Sequence, residues 1–294
     1  MAIKSRRSYL AGFLVLPAAA VVFLAMIVPL GYALVMSLFD FQPGKEASAV
    51  FVGFHHYLAF FQDRVALGSL ATTLIFTAAA LLLELGLGIG MAVVLSDLPP
   101  RLSKFLRAVY SMPLLISPII VGLIWRYLYD PTFGLVYQWL GAVGLADDFG
   151  GLARPGSALL SIVIADVWQT TPFILLVVTS GLSTVPYEVY EAARMDGAGF
   201  LRTLTRITLP MIGKVILLVT LIRGTDAFRV FDIIYALTGG GPANSTLSLS
   251  IYAFKKGFEQ YEMGYAMAIS LITMLVLIVL FAPLVKRSSF MERE

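Results

Sequence analysis

Long runs of apolar residues with almost no charge recur along the whole chain, and no other feature constrains the fold as strongly. A helix needs about 20 apolar residues to cross about 30 Å of lipid hydrocarbon. Six windows reach that length: Ala11–Leu38, Leu70–Leu95, Leu106–Tyr129, Ala158–Leu182, Met211–Leu237 and Met263–Val285. These runs predict an all-α integral membrane protein with six transmembrane helices.

The charge content excludes a water-soluble domain of this length. Only 13% of the 294 residues are charged, whereas soluble domains carry about 25%. The first window is about twice as long as the apolar region of a cleaved signal peptide, so we expect a retained helix. The net charge of +3 gives no reason to expect nucleic acid, and the absence of cysteine excludes disulfides and thiolate sites.

The fifth window is the weakest span because it contains charged residues at steps of three. These residues are Arg223, Asp226, Arg229 and Asp232. Each step turns the helix by about 300°, so the four residues do not share one face. We expect two local ion pairs, Arg223–Asp226 and Arg229–Asp232. A half-buried or re-entrant segment is the alternative to a full span here.

The distribution of lysine and arginine predicts the direction of the spans. With the N-terminus inside, the inner loops hold most of these residues, including Lys4, Arg101, Arg194 and Lys286. Inner loops of membrane proteins are enriched in such residues. We therefore expect cytoplasmic termini at 1–10 and 286–294, a transmembrane domain at 11–285, and a cytoplasmic loop at 184–210.

The loop at 184–210 reads as two short helices joined by a glycine corner. Tyr187–Met195 contains good helix formers, Gly197 and Gly199 allow a turn, and a second helical run covers Phe200–Ile207 before Pro210. Ala192 and Ala193 predict a small-residue surface that a partner can approach. From these features alone, an ordinary amphipathic connector on the membrane surface is an equally good interpretation.

The spacing within this loop resembles the EAA loop of binding-protein-dependent ABC import permeases. Glu191-Ala192-Ala193 is followed after three residues by Gly197, and after nine more by Ile207-Thr208-Leu209-Pro210. The flanking stretches VPYEVYEAARMDGA and FRVFDIIYALTGGGP resemble the sugar-importer branch of that family, the maltose and glycerol-phosphate type.

The resemblance implies a type I ABC importer permease fold in the bacterial or archaeal cytoplasmic (inner) membrane, and a permease subunit rather than an enzyme. It also implies a sugar or polyol substrate, a second, different permease subunit, two cytoplasmic ATPase subunits and an extracytoplasmic solute-binding protein. ATP and magnesium would bind the ATPase subunits, and no cofactor is expected in this chain, which has no G-x-x-x-x-G-K-[ST] loop. The implied ATPase-coupling residues are Glu191, Ala192, Ala193, Asp196 and Gly197.

Polar residues inside the predicted spans are candidates for a solute path, because charged groups at membrane depth usually face a bundle interior or an aqueous cavity. The candidates are Glu84, Asp166, Trp168, Gln169, Thr170, Arg223 and Asp226. Trp168 fits either a stacking platform for a sugar or a lipid-facing side chain. The structural alternative for the charged residues is that they neutralise one another and hold helices together.

Other features of the sequence bear on helix packing and on rival functions. Gly86, Gly88 and Gly90 predict a close helix contact in the second span. His55 and His56 have no further ligand at a metal-like spacing, so no metal site is expected. The main rival function is an ion-coupled secondary transporter that uses Glu84 or Asp166 to carry a proton. An intramembrane enzyme is disfavoured because no nucleophile–base pair is placed for catalysis.

Overall fold

The computed structural model describes residues 2–44, 49–144 and 150–291, and most of these residues are helical. Residues 1 and 292–294, which belong to the predicted cytoplasmic termini, lie outside the described residues. The helices are α1 (Ala2–Met36), α2 (His55–Gln62), α3 (Arg64–Ser96), α4 (Pro100–Tyr110), α5 (Pro118–Leu128), α6 (Leu135–Ala142), α7 (Pro155–Leu182), α8 (Tyr187–Met195), α9 (Phe200–Thr203), α10 (Leu209–Met211), α11 (Gly213–Phe228), α12 (Asp232–Leu237), α13 (Leu249–Phe254) and α14 (Met263–Met291). Strands β1 (Phe39–Asp40) and β2 (Val50–Phe51) form an antiparallel pair.

Four helices are long and apolar enough to cross a membrane by themselves. They contain Ala19–Met36, Arg64–Ser96, Pro155–Leu182 and Met263–Lys286. These segments confirm the first, second, fourth and sixth predicted windows. Two bent helix pairs raise the number of possible spans to six, so the predicted all-α membrane fold is confirmed, with two of its spans broken.

The third window, Leu106–Tyr129, was predicted as one helix, and this prediction is wrong. Helix α4 ends at Tyr110, a 3₁₀ turn covers Met112–Leu115, and α5 then starts at Pro118. The two halves meet at 95°. The residue before a proline disfavours helical geometry, and the extended backbone of Ser117 accounts for the break in this way.

The fifth window, Met211–Leu237, is also interrupted. Its straight part is α11, which meets the preceding segment Phe200–Met211 at a bend of 71°. After Phe228 the helix stops, and α12 begins at Asp232. One continuous helix over this window is therefore wrong, and the interruption is compatible both with a broken span and with the re-entrant alternative.

The chain divides into two compact units, one of which contains the chain up to Asp63 together with Ala253–Met274. Within this unit, the Tyr265 hydroxyl donates a hydrogen bond to Asp63 (2.9 Å). His56 is buried, with Nε2 at 3.3 Å from the Phe39 carbonyl oxygen and its ring against Tyr265. These contacts give His56 a structural role.

The other unit, Arg64–Tyr252 with the chain from Leu275 onward, contains a bundle formed by α3, α7 and α11. An apolar cluster lies at its centre: Ala92, Leu95, Ile174, Leu175, Val178, Ile212 and Val219. Lipid tails are as apolar as leucine, so the hydrophobic effect does little to hold such helices together. Close packing and polar contacts must supply the stability of this bundle.

One of the three candidate glycines provides such a close contact between α3 and α7. A Cβ atom at Gly88 would lie 2.7 Å from Ile174 Cγ2 and 3.3 Å from the Leu175 backbone nitrogen. At Gly86 and Gly90 a Cβ atom would meet nothing within 4 Å in the described part of the chain. The predicted contact is therefore confirmed for Gly88 and wrong for Gly86 and Gly90 within this chain.

We expect Gly88→Ala to lower the free energy of unfolding by about 1–3 kcal/mol, because the added methyl group overpacks the α3–α7 contact. Gly90→Ala is the matched control, since its methyl group has open space and alanine favours the helix. Thermal melts of the purified variants in detergent measure both effects. Equal melting temperatures for the two variants would contradict this packing account.

Candidate functional site

Three charged side chains from three different helices meet inside the bundle. Arg223 of α11 donates a hydrogen bond from Nη2 to Glu84 Oε1 of α3 at 2.8 Å, and its Nε lies 2.7 Å from Glu84 Oε2 as a charge contact. The same Nη2 donates to Asp166 Oδ2 of α7. We refer to Glu84, Asp166 and Arg223 as the charge triad. It ties together the three helices that form the bundle.

The charge triad is closed off from the surface of the chain. Glu84 has no exposed area, and Asp166 and Arg223 are both buried. Thr170 Oγ1 lies 2.8 Å from Glu84 Oε1 and 2.7 Å from the Asp166 carbonyl oxygen, so its single proton can go to either acceptor. A direct contact of Glu84 with solute therefore stays a prediction. In the chain as described, the Glu84 side chain has no exposed area that a solute could touch.

Both predicted local ion pairs are wrong. Arg223 reaches across to α3 and α7 instead of pairing with Asp226, because the two carboxylates there would otherwise be buried without a cation. Arg229 points back to Asp226, with 3.5 Å between Nη2 and Oδ1. Asp232 lies in the first turn of α12, where a helix N-terminus favours negative charge.

Gln169 is buried and supports the break between α4 and α5. Its Nε2 donates a hydrogen bond of 2.8 Å to the carbonyl oxygen of Ile116. Ile116 is the last residue before Ser117 and Pro118, where the backbone leaves helical geometry. Non-helical backbone at membrane depth is tolerated only where its polar groups find partners within the protein, and Gln169 supplies that partner.

Trp168 and Asp226 are the two path candidates with a large exposed surface. Trp168 is 41% exposed and contacts Trp125 edge to face, with 5.8 Å between the ring centroids. The two tryptophans line an almost wholly apolar hollow of about 760 Å³. The Asp226 side chain is 67% exposed and Arg229 beside it is 64% exposed. Trp125 was missed from the sequence, where only an apolar helix surrounds it.

The loop at 184–210, which we call the coupling segment after the role that its resemblance implies, has the predicted two helices and a defined glycine corner. Helix α8 ends in a Schellman motif, in which the Ala198 N–H donates to the Ala193 carbonyl oxygen at 2.9 Å and the Gly197 N–H donates to that of Arg194 at 3.0 Å. Gly197 has φ of +70°, the left-handed conformation that this motif requires. Gly199 has an ordinary extended backbone and starts the next helix.

The second helix of the coupling segment continues directly toward the bundle. Helix α9 is followed by a π-helical turn at Leu204–Thr208 and by α10, which ends at Met211. Only Ile212 separates α10 from α11, the helix that carries Arg223. The predicted boundary at Pro210 is therefore wrong by one residue, and proline is tolerated there because it occupies the first turn of α10.

The implied coupling residues fall into an exposed set and one buried residue. Glu191, Ala192, Asp196 and Gly197 are exposed, whereas Ala193 is 5% exposed. The predicted small-residue surface is therefore wrong for Ala193, which faces its own chain because it lies on the inner side of α8. The exposed four present two carboxylates, a methyl group and a bent backbone to the outside.

Comparison with known proteins identifies the kind of molecule that carries these features. Residues 84–289 match the family described as binding-protein-dependent transport system inner membrane component. That range contains the charge triad, the break at Ile116 and the coupling segment.

Two relatives and one solved structure cover nearly the whole chain. The trehalose/maltose transport system permease protein MalF of Thermococcus litoralis is 35% identical, over 94% of this chain and 92% of its own length. The trehalose transport system permease protein SugA of Mycobacterium tuberculosis is 36% identical, over 90% and 83%. A bacterial alginate ABC transporter, solved in complex with an alginate pentasaccharide-bound periplasmic protein, shares the fold with a TM-score of 0.80, 23% identity and coverage of 98% and 95%.

Proposed function

The chain belongs to the family of binding-protein-dependent transport system inner membrane components, and we propose that it forms half of the solute pathway in an ATP-driven importer for a sugar or related polyol. It is a multi-pass permease subunit of the inner membrane and not itself an ATPase. The observation that carries the sugar assignment is the similarity to a trehalose/maltose permease over 94% of the chain.

The proposed complex contains four further kinds of partner. A second, different permease subunit would complete the pathway, and two cytoplasmic ATPase subunits would bind ATP and magnesium. A solute-binding protein outside the membrane would deliver the sugar, and lipid would surround the assembly. The alginate transporter described above was solved with such a periplasmic protein, which supports this composition.

We propose that the coupling segment docks on an ATPase subunit through its exposed residues. Glu191 offers a carboxylate to donors on the partner, and Ala192 allows close approach. The Schellman motif at Gly197 fixes the angle between α8 and the following helix. With the predicted orientation, this surface faces the cytoplasm, as docking requires.

A continuous mechanical route then connects the ATPase contact to the bundle. Displacement of α8 moves the segment Phe200–Met211, and this segment leads through Ile212 into α11. Arg223 on α11 holds α3 and α7 through the charge triad. ATP-driven closure of the ATPase subunits would therefore shift the three helices together and alternate the access of a central pathway.

The same reasoning divides the candidate path residues into two groups. Asp226 and Trp168 have surface available to a solute or to the second permease. An exposed aspartate in a membrane protein requires a polar neighbour, which lipid does not provide. Glu84, Asp166, Thr170, Gln169 and Arg223 instead act on solute indirectly, because they hold the helices that surround the pathway.

The dependence of uptake on ATP or on an ion gradient distinguishes the proposed importer from an ion-coupled transporter. In cells that express the complete system, we expect depletion of ATP to abolish trehalose or maltose uptake and an uncoupler to have little effect while ATP is maintained. Separate measurements of ATP and membrane potential serve as controls. Uptake that survives ATP depletion and collapses with the uncoupler would overturn the importer and support the secondary transporter.

A further inference from the structure

A cavity of about 540 Å³ lies between the coupling segment and the adjacent ends of the bundle helices. Its wall includes Asp97 after α3, Arg107 of α4, Thr179 of α7, and Tyr190 and Arg194 of α8. Neither the solute path nor the docking surface uses this cavity. It lies on the predicted cytoplasmic side, where the coupling segment meets the rest of the unit.

Two residues of the cavity wall carry buried polar atoms that lack a hydrogen-bond partner among the described residues. Arg107 Nε and Thr179 Oγ1 are buried and make no hydrogen bond in the described part of the chain. A buried donor without an acceptor is costly, most of all on a charged group. Arg107 lies on α4 and Thr179 lies on α7, so two helices of the wall each carry a buried polar atom whose hydrogen-bonding capacity the described residues leave unused.

The charge of the cavity favours an anion with hydroxyl groups. The two positive charges of Arg107 and Arg194 exceed the single negative charge of Asp97. An adjoining hollow of about 380 Å³ shares Arg107 and adds Lys104. Guanidinium groups bind phosphate through paired hydrogen bonds, and Asp97 can accept a hydrogen bond from a hydroxyl group of the same ligand. The chemistry fits a phosphate ester of a polyol.

Helix α4 has the composition expected of a helix at the level of lipid headgroups. Leu102 and Phe105 are exposed on α4, next to the basic residues Arg101 and Lys104. A helix that exposes both large apolar and basic side chains lies in the membrane interface and is attracted to anionic lipids. At that level a lipid headgroup would reach the cavity without leaving the bilayer.

We propose that the cavity binds the phosphate ester headgroup of an anionic phospholipid. The phosphate would contact Arg107 on the membrane frame and Arg194 on α8, and a headgroup hydroxyl would contact Asp97. Bound lipid would thereby link the coupling segment to α4. This site is independent of the transported sugar, so its test does not require transport.

The test measures lipid binding to the full-length chain, purified with the subunits that accompany it, in nanodiscs of zwitterionic lipid. Titrated phosphatidylglycerol is the probe, detected by native mass spectrometry. We expect Arg107→Gln and Arg194→Gln each to weaken binding about tenfold, because each removes a charge-assisted hydrogen bond. Arg101→Gln, on the same helix but outside the cavity wall, should change binding less than twofold.

A second variant and two soluble probes separate the possible outcomes of this test. If Arg107→Gln fails to fold, Arg194→Gln carries the test because its side chain is exposed. Inorganic phosphate and glycerol phosphate are titrated in parallel. Saturable binding of these soluble anions with the same dependence on the variants, without lipid binding, would overturn the lipid source and assign the site to a free phosphate ester. Equal binding by all variants, or no saturable binding of any probe, would overturn the site.

Discussion

Replacement of Arg223 with Met should lower the free energy of unfolding of the chain by about 3–5 kcal/mol and remove most of the folded protein from the membrane. The substitution leaves Glu84 and Asp166 buried beside each other without a cation. An uncompensated buried charge costs far more than a lost surface ion pair. Thermal melting curves of the purified variant measure the loss of stability, and size-exclusion chromatography measures the loss of folded protein.

Neutralisation of the two carboxylates should restore much of this stability. The triple variant Arg223→Met, Glu84→Gln, Asp166→Asn removes all three charges, and the amides retain hydrogen-bonding capacity near Thr170. Such a rescue distinguishes electrostatic stabilisation from the simple loss of a large side chain. The triple variant tests the structural role of the charge triad separately from transport.

Arg229→Met is the matched control on the same chain. Arg229 and Asp226 are exposed and 3.5 Å apart, so loss of their ion pair should change the free energy of unfolding by less than about 1 kcal/mol. If Arg223→Met melts like the wild type but loses uptake, the charge triad acts on solute and the structural account is wrong.

The sequence predicted the spans well where apolar length decides the outcome, and poorly where a local break decides it. The windows at Ala11–Leu38 and Ala158–Leu182 also contain prolines, yet the first is helical as far as Met36 and the second is helical throughout. The third window contains Pro113 and Pro118, and its apolar length concealed the break between them. A single side chain, Gln169, stabilises that break from another helix, and no local pattern indicates such a contact.

The candidate site shows the same limit in its ion pairs. Charges at steps of three within α11 suggested local pairing, whereas Arg223 pairs with residues 139 and 57 positions away in the sequence. Helical spacing gives neighbours on one helix and says nothing of the helix packed against it. The glycine corner was predictable because Gly197 follows a helix directly, which is a purely local signal.

Replacement of Gly197 with Val should abolish sugar uptake and release the ATPase subunits, while the chain still inserts and folds. Val at φ of +70° is strained by about 1–2 kcal/mol, and the strain is removed when the Schellman motif opens. The angle between α8 and α9 is then lost. Apart from Gly197 itself and its two chain neighbours, no atom of the described residues lies within 4 Å of the added Cβ position, so backbone conformation and not a steric clash causes the effect.

Two glycine substitutions test whether backbone conformation is the cause, and a third substitution tests the charge of the docking surface. Gly197→Asn should retain most uptake because asparagine tolerates the left-handed conformation. Gly199→Val should also retain it, since Gly199 has an extended backbone and the same open surroundings.

Glu191→Lys should release the ATPase subunits without altering the corner, because it reverses the charge that we expect the partner to contact. Copurification of the ATPase subunits with each variant, together with uptake, measures these effects. Unchanged copurification and uptake in both Gly197→Val and Glu191→Lys would exclude this segment as the coupling surface.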